Sequence, residues 1–325
     1  MDLTIHLEDW HVDGVFAIAR GAQTVANLVV VELRQSGHMG HGECEPQDHY
    51  GESVESVVAQ IESIRAALKA GMTRDELLHR LPPGAARNAV DCAMWDLEAK
   101  LAGKSAWELA GLKPREVVTD FSLSLESPEA MHKRALKYHD WPFLKIKLGG
   151  GEIDVERVQA VREAAPKARF TVDANESWTI AQLERDVPRL KALGVELIEQ
   201  PLPASRDEPL RGFKSAIPLC ADEACHTTAS LDHVAGLYQF VNIKLDKTGG
   251  LTEALRLARA ARERGLGVMV GCMTGTSLAT APALLVASLA DYVDLDGPLL
   301  LAMDRNPPVH YAKGVVSPAP PALWG

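Results

Sequence analysis

Three stretches decide the fold: Phe170-Thr-Val-Asp173-Ala-Asn175, Val195-Glu-Leu-Ile-Glu199-Gln-Pro201 and Ile217-Pro-Leu-Cys-Ala-Asp222-Glu223. Each is a short apolar run that ends on a carboxylate. A short apolar run bounded by turn residues reads as a buried strand. Working outward, the same pattern recurs at Phe121–Leu125, Phe143–Leu148, Phe240–Ile243, Gly267–Val270 and Tyr292–Leu295. With Phe170–Val172, Val195–Ile198 and Ile217–Ala221 this makes eight predicted strands, spaced about 25 residues apart. Amphipathic stripes fill most of the gaps, most clearly Val155–Ala165, Ile180–Leu193 and Leu251–Arg264. Strands alternating with helices predict a parallel sheet, and eight such units close naturally into a barrel. No helical stripe follows the eighth run.

The first part of the chain reads differently. Residues 1 to about 35 alternate like strands, and Gly37-His-Met-Gly-His-Gly42 reads as a turn or a glycine-rich flap, to which His38 and His41 belong. His49 follows, and the three histidines are better explained by a flap over the barrel mouth than by a second metal site. Apolar residues at Val54, Val57, Val58, Ile61, Ile64 and Leu68 predict one helix over 53–70, stopped by Gly71. Val90, Met94, Leu97 and Leu101 predict another, stopped by Gly103. The expected organisation is an α+β domain over 1–112, a barrel over 113–300, and a Pro- and Ala-rich tail over 301–325 that returns to the first domain.

Bulk properties exclude several classes. The chain has 325 residues, 46% hydrophobic and 24% charged, which suits two packed domains. Its net charge of -10 and lack of a basic stripe argue against nucleic acid as a partner. Five cysteines, with no C-x-x-C pair, argue against a disulfide framework or a thiolate zinc site. The N-terminal stretch lacks the basic start and apolar run of a signal peptide, and no stretch is long and apolar enough to span a membrane, so a cytoplasmic protein is expected.

Barrel enzymes build their sites at the C-terminal strand ends. Three successive strands deliver Asp173, Glu199 and Asp222 there. Adjacent strands are about 4.8 Å apart, so the three carboxylates can converge, and a hard cation such as Mg²⁺ would resolve their repulsion. Lys145 and Lys147 on strand 2 both point inward, and Lys244 on strand 6 faces them across the mouth. Lys145 is expected to pair with the carboxylates. Lys147 and Lys244 are the candidate bases, their pKa values expected to fall toward neutrality beside a metal and other lysines. A metal-held substrate carboxylate, a lysine that takes the α-proton, an enediolate stabilised by the metal, and a second lysine on the other face describe a 1,1-proton transfer. Asp294 and Asp296 on strand 8 share a face and could grip a cation, though from local sequence alone a helix cap or surface turn before Gly297-Pro298 explains them better.

Lys145-Ile-Lys147, Asp173-Ala-Asn175-Glu176, Ile198-Glu199-Gln-Pro201, Ala221-Asp222-Glu223 and Asn242-Ile-Lys244…Gly249-Gly250 together resemble the enolase superfamily in its muconate-lactonizing subgroup. Gly42-Glu43, Ala89-Val-Asp91 and Trp95-Asp96-Leu97 extend the resemblance to the first domain. The resemblance implies an α+β capping domain over a (β/α)₇β barrel, Mg²⁺ held by Asp173, Glu199 and Asp222, and a homo-oligomer. It also implies supporting roles for Asn175, Glu223 and Asp246.

Asp294-Leu-Asp296 resembles the mark of the dipeptide epimerases, which implies that the pair binds the substrate ammonium. The same resemblance implies places near the substrate for Ser124, for Lys145 and for Arg20, the last against an acidic side chain as in Ala-Glu. It further implies a role in recycling cell-wall peptides. Two departures stand out. Gly275 replaces a glutamate common in relatives, which should open the pocket or change side-chain preference, and no histidine ends strand 7, which disfavours acid-sugar dehydratases. The competing readings are a cycloisomerase, an o-succinylbenzoate synthase or an N-acylamino acid racemase of the same superfamily, and a barrel that binds metal and dipeptide without turnover.

Overall fold

The computed structural model describes residues 1–325. The chain opens with an antiparallel sheet of three strands, Asp2–Ile18, Gly21–Gln35 and His38–Cys44, joined in sequence order. Helices Val54–Ser63, Arg65–Lys69, Arg74–Arg80 and Ala85–Ala102 follow. The predicted single helix over 53–70 is therefore two, broken at Ile64, where the next residue, Arg65, reaches the Leu3 carbonyl at 2.6 Å. Ser53 and Thr73 start their helices with reciprocal capping boxes, which satisfy N–H groups that a helix leaves orphaned.

The expected flap is a correction. His38–Cys44 is a strand, paired along its length with Gln35 back to Val29. Its glycines serve packing rather than mobility. A Cβ on Gly40 would sit 2.2 Å from the Ala93 carbonyl oxygen, and one on Gly42 2.0 Å from that of Ala89. Only glycine lets this strand lie directly on the helix Ala85–Ala102. That helix is buried on almost every side, because the sheet covers one flank and the barrel the other.

The barrel strands are Phe121–Leu123, Phe143–Lys147, Arg169–Asp173, Val195–Glu199, Leu219–Ala221, Phe240–Ile243, Gly267–Val270 and Tyr292–Val293, numbered 1 to 8 below. They form one parallel sheet in chain order. The Asp120 N–H donates to the Val293 carbonyl at 2.9 Å and the Leu295 N–H to Thr119 Oγ1 at 2.8 Å, which joins the last strand to the first. Outward residues such as Ile146, Val172, Ile198, Ile243 and Val270 pack under the helices in a core of 65 buried residues. Inward, Leu197, Cys220 and Met269, with Phe240 and Tyr292, make an apolar floor. Above that floor the inward positions turn polar. A short helix, Gly297–Leu300, follows strand 8.

The last residues turn back. Val315–Val316 pairs with Val117–Val118, and the Trp324 indole N–H donates to the Cys92 carbonyl of the buried helix at 3.1 Å. The chain ends with the Gly325 N–H on Asp96 Oδ1 at 2.7 Å. No helix is long and apolar enough to cross a membrane.

Candidate active site

The site follows from strand register. Lys147 pairs with Asp173, and Asp173 with Glu199, across neighbouring strands. Period-two alternation then places Lys145 and Lys147, Asp173 and Glu199 on the inner face. Asp222 and Lys244 extend the row at the ends of strands 5 and 6. All six side chains are buried.

The lysines insert among the acids. Lys147 Nζ lies 2.6 Å from Asp173 Oδ2, and Lys244 Nζ 2.8 Å from Asp222 Oδ2. Lys145 Nζ is shared, 2.6 Å from Asp294 Oδ2, 2.6 Å from Glu199 Oε2 and 3.3 Å from Asp173 Oδ2. Asn175 Nδ2 reaches Asp173 at 3.2 Å, and Asn242 Nδ2 donates to Glu199 Oε1 at 2.6 Å.

Burial works against each carboxylate, and the lysines decide the outcome. Lys147 and Lys145 outweigh burial at Asp173, and Lys244 and Lys247 outweigh it at Asp222, so both sit below the ordinary aspartate value. Glu199 sits above its ordinary value, because burial and the adjacent Asp173 outweigh Lys145. The expected fall in the Lys244 pKa depends on a cation beside it, and the protein's own groups act in the opposite direction. Burial favours the neutral amine, but Asp222 and Glu199 overcome it and hold the group well above the ordinary lysine value.

The donor set suits a hard cation. Glu199 Oε2, Asp222 Oδ1, Asn175 Oδ1 and Glu223 Oε2 are buried acceptors that receive no hydrogen bond. Lys145 and Lys247 touch the first two by charge alone. Carboxylate and amide oxygens without donors are the ligands Mg²⁺ takes. The tightest carboxylate cluster lies elsewhere, however. One oxygen each from Asp120, Asp294 and Asp296 lies within 4.8 Å of the others.

A cavity of about 710 Å³ opens over these residues, lined among others by Phe16, Arg20, Lys147, Lys244, Asp294 and Asp296. The turn between the first two strands of the N-terminal sheet roofs it. Arg20 sits on that turn and points inward, with Nη1 2.5 Å from Glu223 Oε1 and 3.4 Å from Glu176 Oε2. Burial and the neighbouring Asp222 raise the Glu223 carboxyl to about 7. His49 lines the same mouth, 3.0 Å from Glu176.

Three further expectations change. Ser124 does not line the cavity, and its Oγ accepts the Ala17 N–H at 2.8 Å, which ties the roof to strand 1. Ser122 lines the cavity instead. Asp246 does not support the acid row. It accepts from Asn88 at 3.0 Å and from the Glu45 N–H at 3.2 Å, at the seam between the domains. Gly275 does not open the main cavity, since Glu43 of the N-terminal sheet already occupies the adjacent space, its Oε1 3.2 Å from where a Cβ would stand.

Four residues escaped the sequence reading. Lys247 is fully buried and donates to the Cys225 and Asn242 carbonyls at 3.0 Å and to the Asp222 carbonyl, which fixes Asp222. Gln200 Oε1 accepts the N–H groups of Asp222 and Ala224 at 2.9 and 3.1 Å. Asn242 and Asp120 complete the set. Their signal was positional: Asp120 stands two before Ser122, and Asn242 two before Lys244. The backbone is strained here too. Asn175, Glu176 and Gln200 all have positive φ, of 43°, 67° and 33°. Such residues cost about 1–3 kcal/mol each and persist where function retains them.

Residues 1–111 match the family described as the mandelate racemase / muconate lactonizing enzyme N-terminal domain, and 129–320 the enolase C-terminal domain-like family. The chain belongs to the enolase superfamily. Within that superfamily it is 47% identical to an N-acetyl-D-glutamate racemase of Pseudoalteromonas sp, over 92% of this chain and 95% of that one. It is 46% identical to the L-Ala-D/L-Glu epimerase of Escherichia coli K12, over 94% and 96%. Among solved structures it is similar to an enolase family member from Agrobacterium tumefaciens with homology to dipeptide epimerases, bound to sodium and L-Ala-L-Glu. That match has TM-score 0.97, 47% identity and 99% coverage of both chains. A dipeptide epimerase from Enterococcus faecalis complexed with Mg and L-Leu-L-Tyr matches at TM-score 0.90 and 27% identity, over 98% and 96%.

Proposed function

We propose that this protein is a Mg²⁺-dependent dipeptide epimerase that inverts the α-carbon of the second residue of a dipeptide such as L-Ala-L-Glu. The observation that carries this is one cavity with Lys147 and Lys244 on opposite strands and the acid pair Asp294 and Asp296 on its far wall. Asp173, Glu199 and Asp222, supported by Asn175 and Glu223, would hold the cation. When bound, the cation neutralises charge that builds on the substrate carboxylate as the α-proton leaves.

The chain's own groups do the rest. One lysine takes the proton from one face and the other lysine returns a proton to the opposite face, so the configuration inverts. Asp294 and Asp296 hold the ammonium and Lys145 holds Asp294 in place. Arg20 offers its charge at the roof to an acidic second side chain, while Phe16 helps exclude water. In this reading residues 1–112 cap the site, 113–300 carry it and 301–325 brace the two. Five free cysteines, four of them buried, support a reducing cytoplasmic setting. The resemblance supports assembly as a homo-oligomer.

The Pseudoalteromonas relative favours a second reading, racemisation of an N-acylated amino acid by the same two lysines. Such a substrate has no ammonium for Asp294 and Asp296. Proton NMR in D₂O with Mg²⁺ separates the two. The first reading expects loss of the glutamate α-proton from L-Ala-L-Glu with L-Ala-D-Glu appearing, and a loss of activity of at least about 100-fold when Asp294 and Asp296 are both changed to Asn. Exchange confined to N-acetylglutamate and indifferent to those changes would overturn it.

A further inference from the structure

One buried acid in the barrel has no part in the reaction just described. Asp120 precedes strand 1, two residues before Ser122, and shares its inward face. It is fully buried, and neither of its oxygens meets a donor. It does not line the cavity, but its carboxyl closes the tight cluster with Asp294 and Asp296.

The three acids are unequally supported. Asp294 has Lys145 Nζ at 2.6 Å and the Ser122 hydroxyl at 3.4 Å. Asp296 accepts the Ser122 backbone N–H at 2.6 Å. Lys145 is the nearest cation, and Glu199 and Asp173 already share it. An unpaired buried carboxylate costs several kcal/mol. Two acids in contact remove that cost by keeping one proton between them. The proton belongs on the acid without donors. Burial and the Asp294 charge push the Asp120 carboxyl well above the usual range. At Asp294, Lys145 and Lys147 overcome burial and hold the carboxylate low.

We propose that Asp120 is a positioning residue whose carboxyl keeps its proton and donates it to Asp294, fixing that carboxylate beside Lys145 with its charge turned to the ammonium end of the cavity. The substrate part of this inference rests on the dipeptide reading of Asp294 and Asp296. The proton itself does not.

An alternative would make Asp120 a third anion that meets the ammonium. Asparagine distinguishes the two, because its amide N–H donates as a protonated carboxyl does but carries no charge. The full chain, Asp120→Asn and Asp120→Leu are compared by infrared spectroscopy at neutral pH and by kinetics with L-Ala-L-Glu and Mg²⁺. The wild-type minus Asp120→Asn difference spectrum should show the loss of one protonated carboxylic acid carbonyl band. Asp120→Leu should raise KM about tenfold with kcat within about twofold, the loss of one donor to a charged acceptor. Asp120→Asn should recover KM to within about threefold of wild type.

A difference spectrum with no lost acid band, or an Asp120→Asn KM as poor as that of Asp120→Leu, overturns the proposal. If Asp120→Leu does not fold, the infrared difference and the Asp120→Asn KM still decide. The spectrum needs no turnover, so failure of the dipeptide to exchange would sink the functional reading while leaving the Asp120 proton to be judged separately.

Discussion

Lys147 and Lys244 owe their places to strand alternation, and their chemistry to what surrounds them. Each is paired with a carboxylate, Asp173 at 2.6 Å and Asp222 at 2.8 Å. A base must be neutral to accept a proton, and Asp222 and Glu199 overcome burial to hold Lys244 well above the ordinary lysine value. Asp173, Glu199 and Asp222 would hold the cation, which would balance their charge in place of the lysines and leave Lys147 and Lys244 free to act as bases. Lys147→Ala and Lys244→Ala should each lower epimerisation by about 10²–10⁴-fold, the usual contribution of a general base. Each should still exchange the α-proton of one substrate epimer with D₂O, and the two variants should spare opposite epimers. Exchange in both epimers with either lysine missing would rule out one base on each face.

The strand His38–Cys44 and the helix Ala85–Ala102 form a second tight fit, far from the reacting atoms. Gly42→Ala puts a methyl group 2.0 Å from the Ala89 carbonyl oxygen, and neither backbone can yield without moving the roof of the site. Overpacking of this kind costs about 3 kcal/mol. Thermal denaturation should show a Tm about 4 °C lower.

Next to this contact, Glu45 bridges the two domains. It accepts from Gln23 at 2.5 Å, from Gln47 at 2.8 Å and from the Thr274 N–H at 3.0 Å. Burial raises its pKa from 4.5 to about 8, against the Gln23 hydrogen bond and with help from Asp246. Burial likewise raises Asp246 to about 7. A group raised on folding contributes stability that is complete below its unfolded value and lost as pH rises through its folded value. Stability at this seam should therefore decline from about pH 5 to pH 8.5. Glu45→Gln should flatten the decline in Tm over that range, and an unchanged slope would assign the loss to other groups.

Taken whole, the molecule keeps an unusual number of ionisable groups in its interior. Seven acids (Asp120, Asp173, Glu199, Asp222, Glu223, Asp294 and Asp296) sit with four lysines (Lys145, Lys147, Lys244 and Lys247) inside one barrel end. A divalent cation relieves that imbalance in the folded state alone. Mg²⁺ at 100 times its Kd should add about 2.7 kcal/mol of stability. Differential scanning calorimetry should record this as a Tm rise of about 4 °C, reversed by EDTA. Asp222→Asn should abolish most of the shift, and a Tm indifferent to Mg²⁺ would count against the site.

The sequence by itself determined the barrel and the row of side chains at its mouth. Strand periodicity and β/α spacing are local properties, so Lys145, Lys147, Asp173, Glu199, Asp222 and Lys244 could be placed on strand ends from residue order. The same logic could not reach contacts made between elements distant in sequence. Gly40 and Gly42 read as a flap because a glycine run gives no sign of the helix pressed against it. Ser124 and Asp246 fell on the expected faces but were claimed by Ala17 and Asn88, partners supplied by the other domain.

The Lys244 pKa was legible only as a list of opposing effects. Burial and two carboxylates act on it in opposite directions, and only distances say which wins. Asp120 was invisible for the same reason. An acid before an apolar run looks exposed until the barrel closes over it and leaves it with no donor but its own proton. Chain order fixes which side of a strand a residue faces, while the charge it carries there depends on neighbours that only the closed fold brings within a few ångströms.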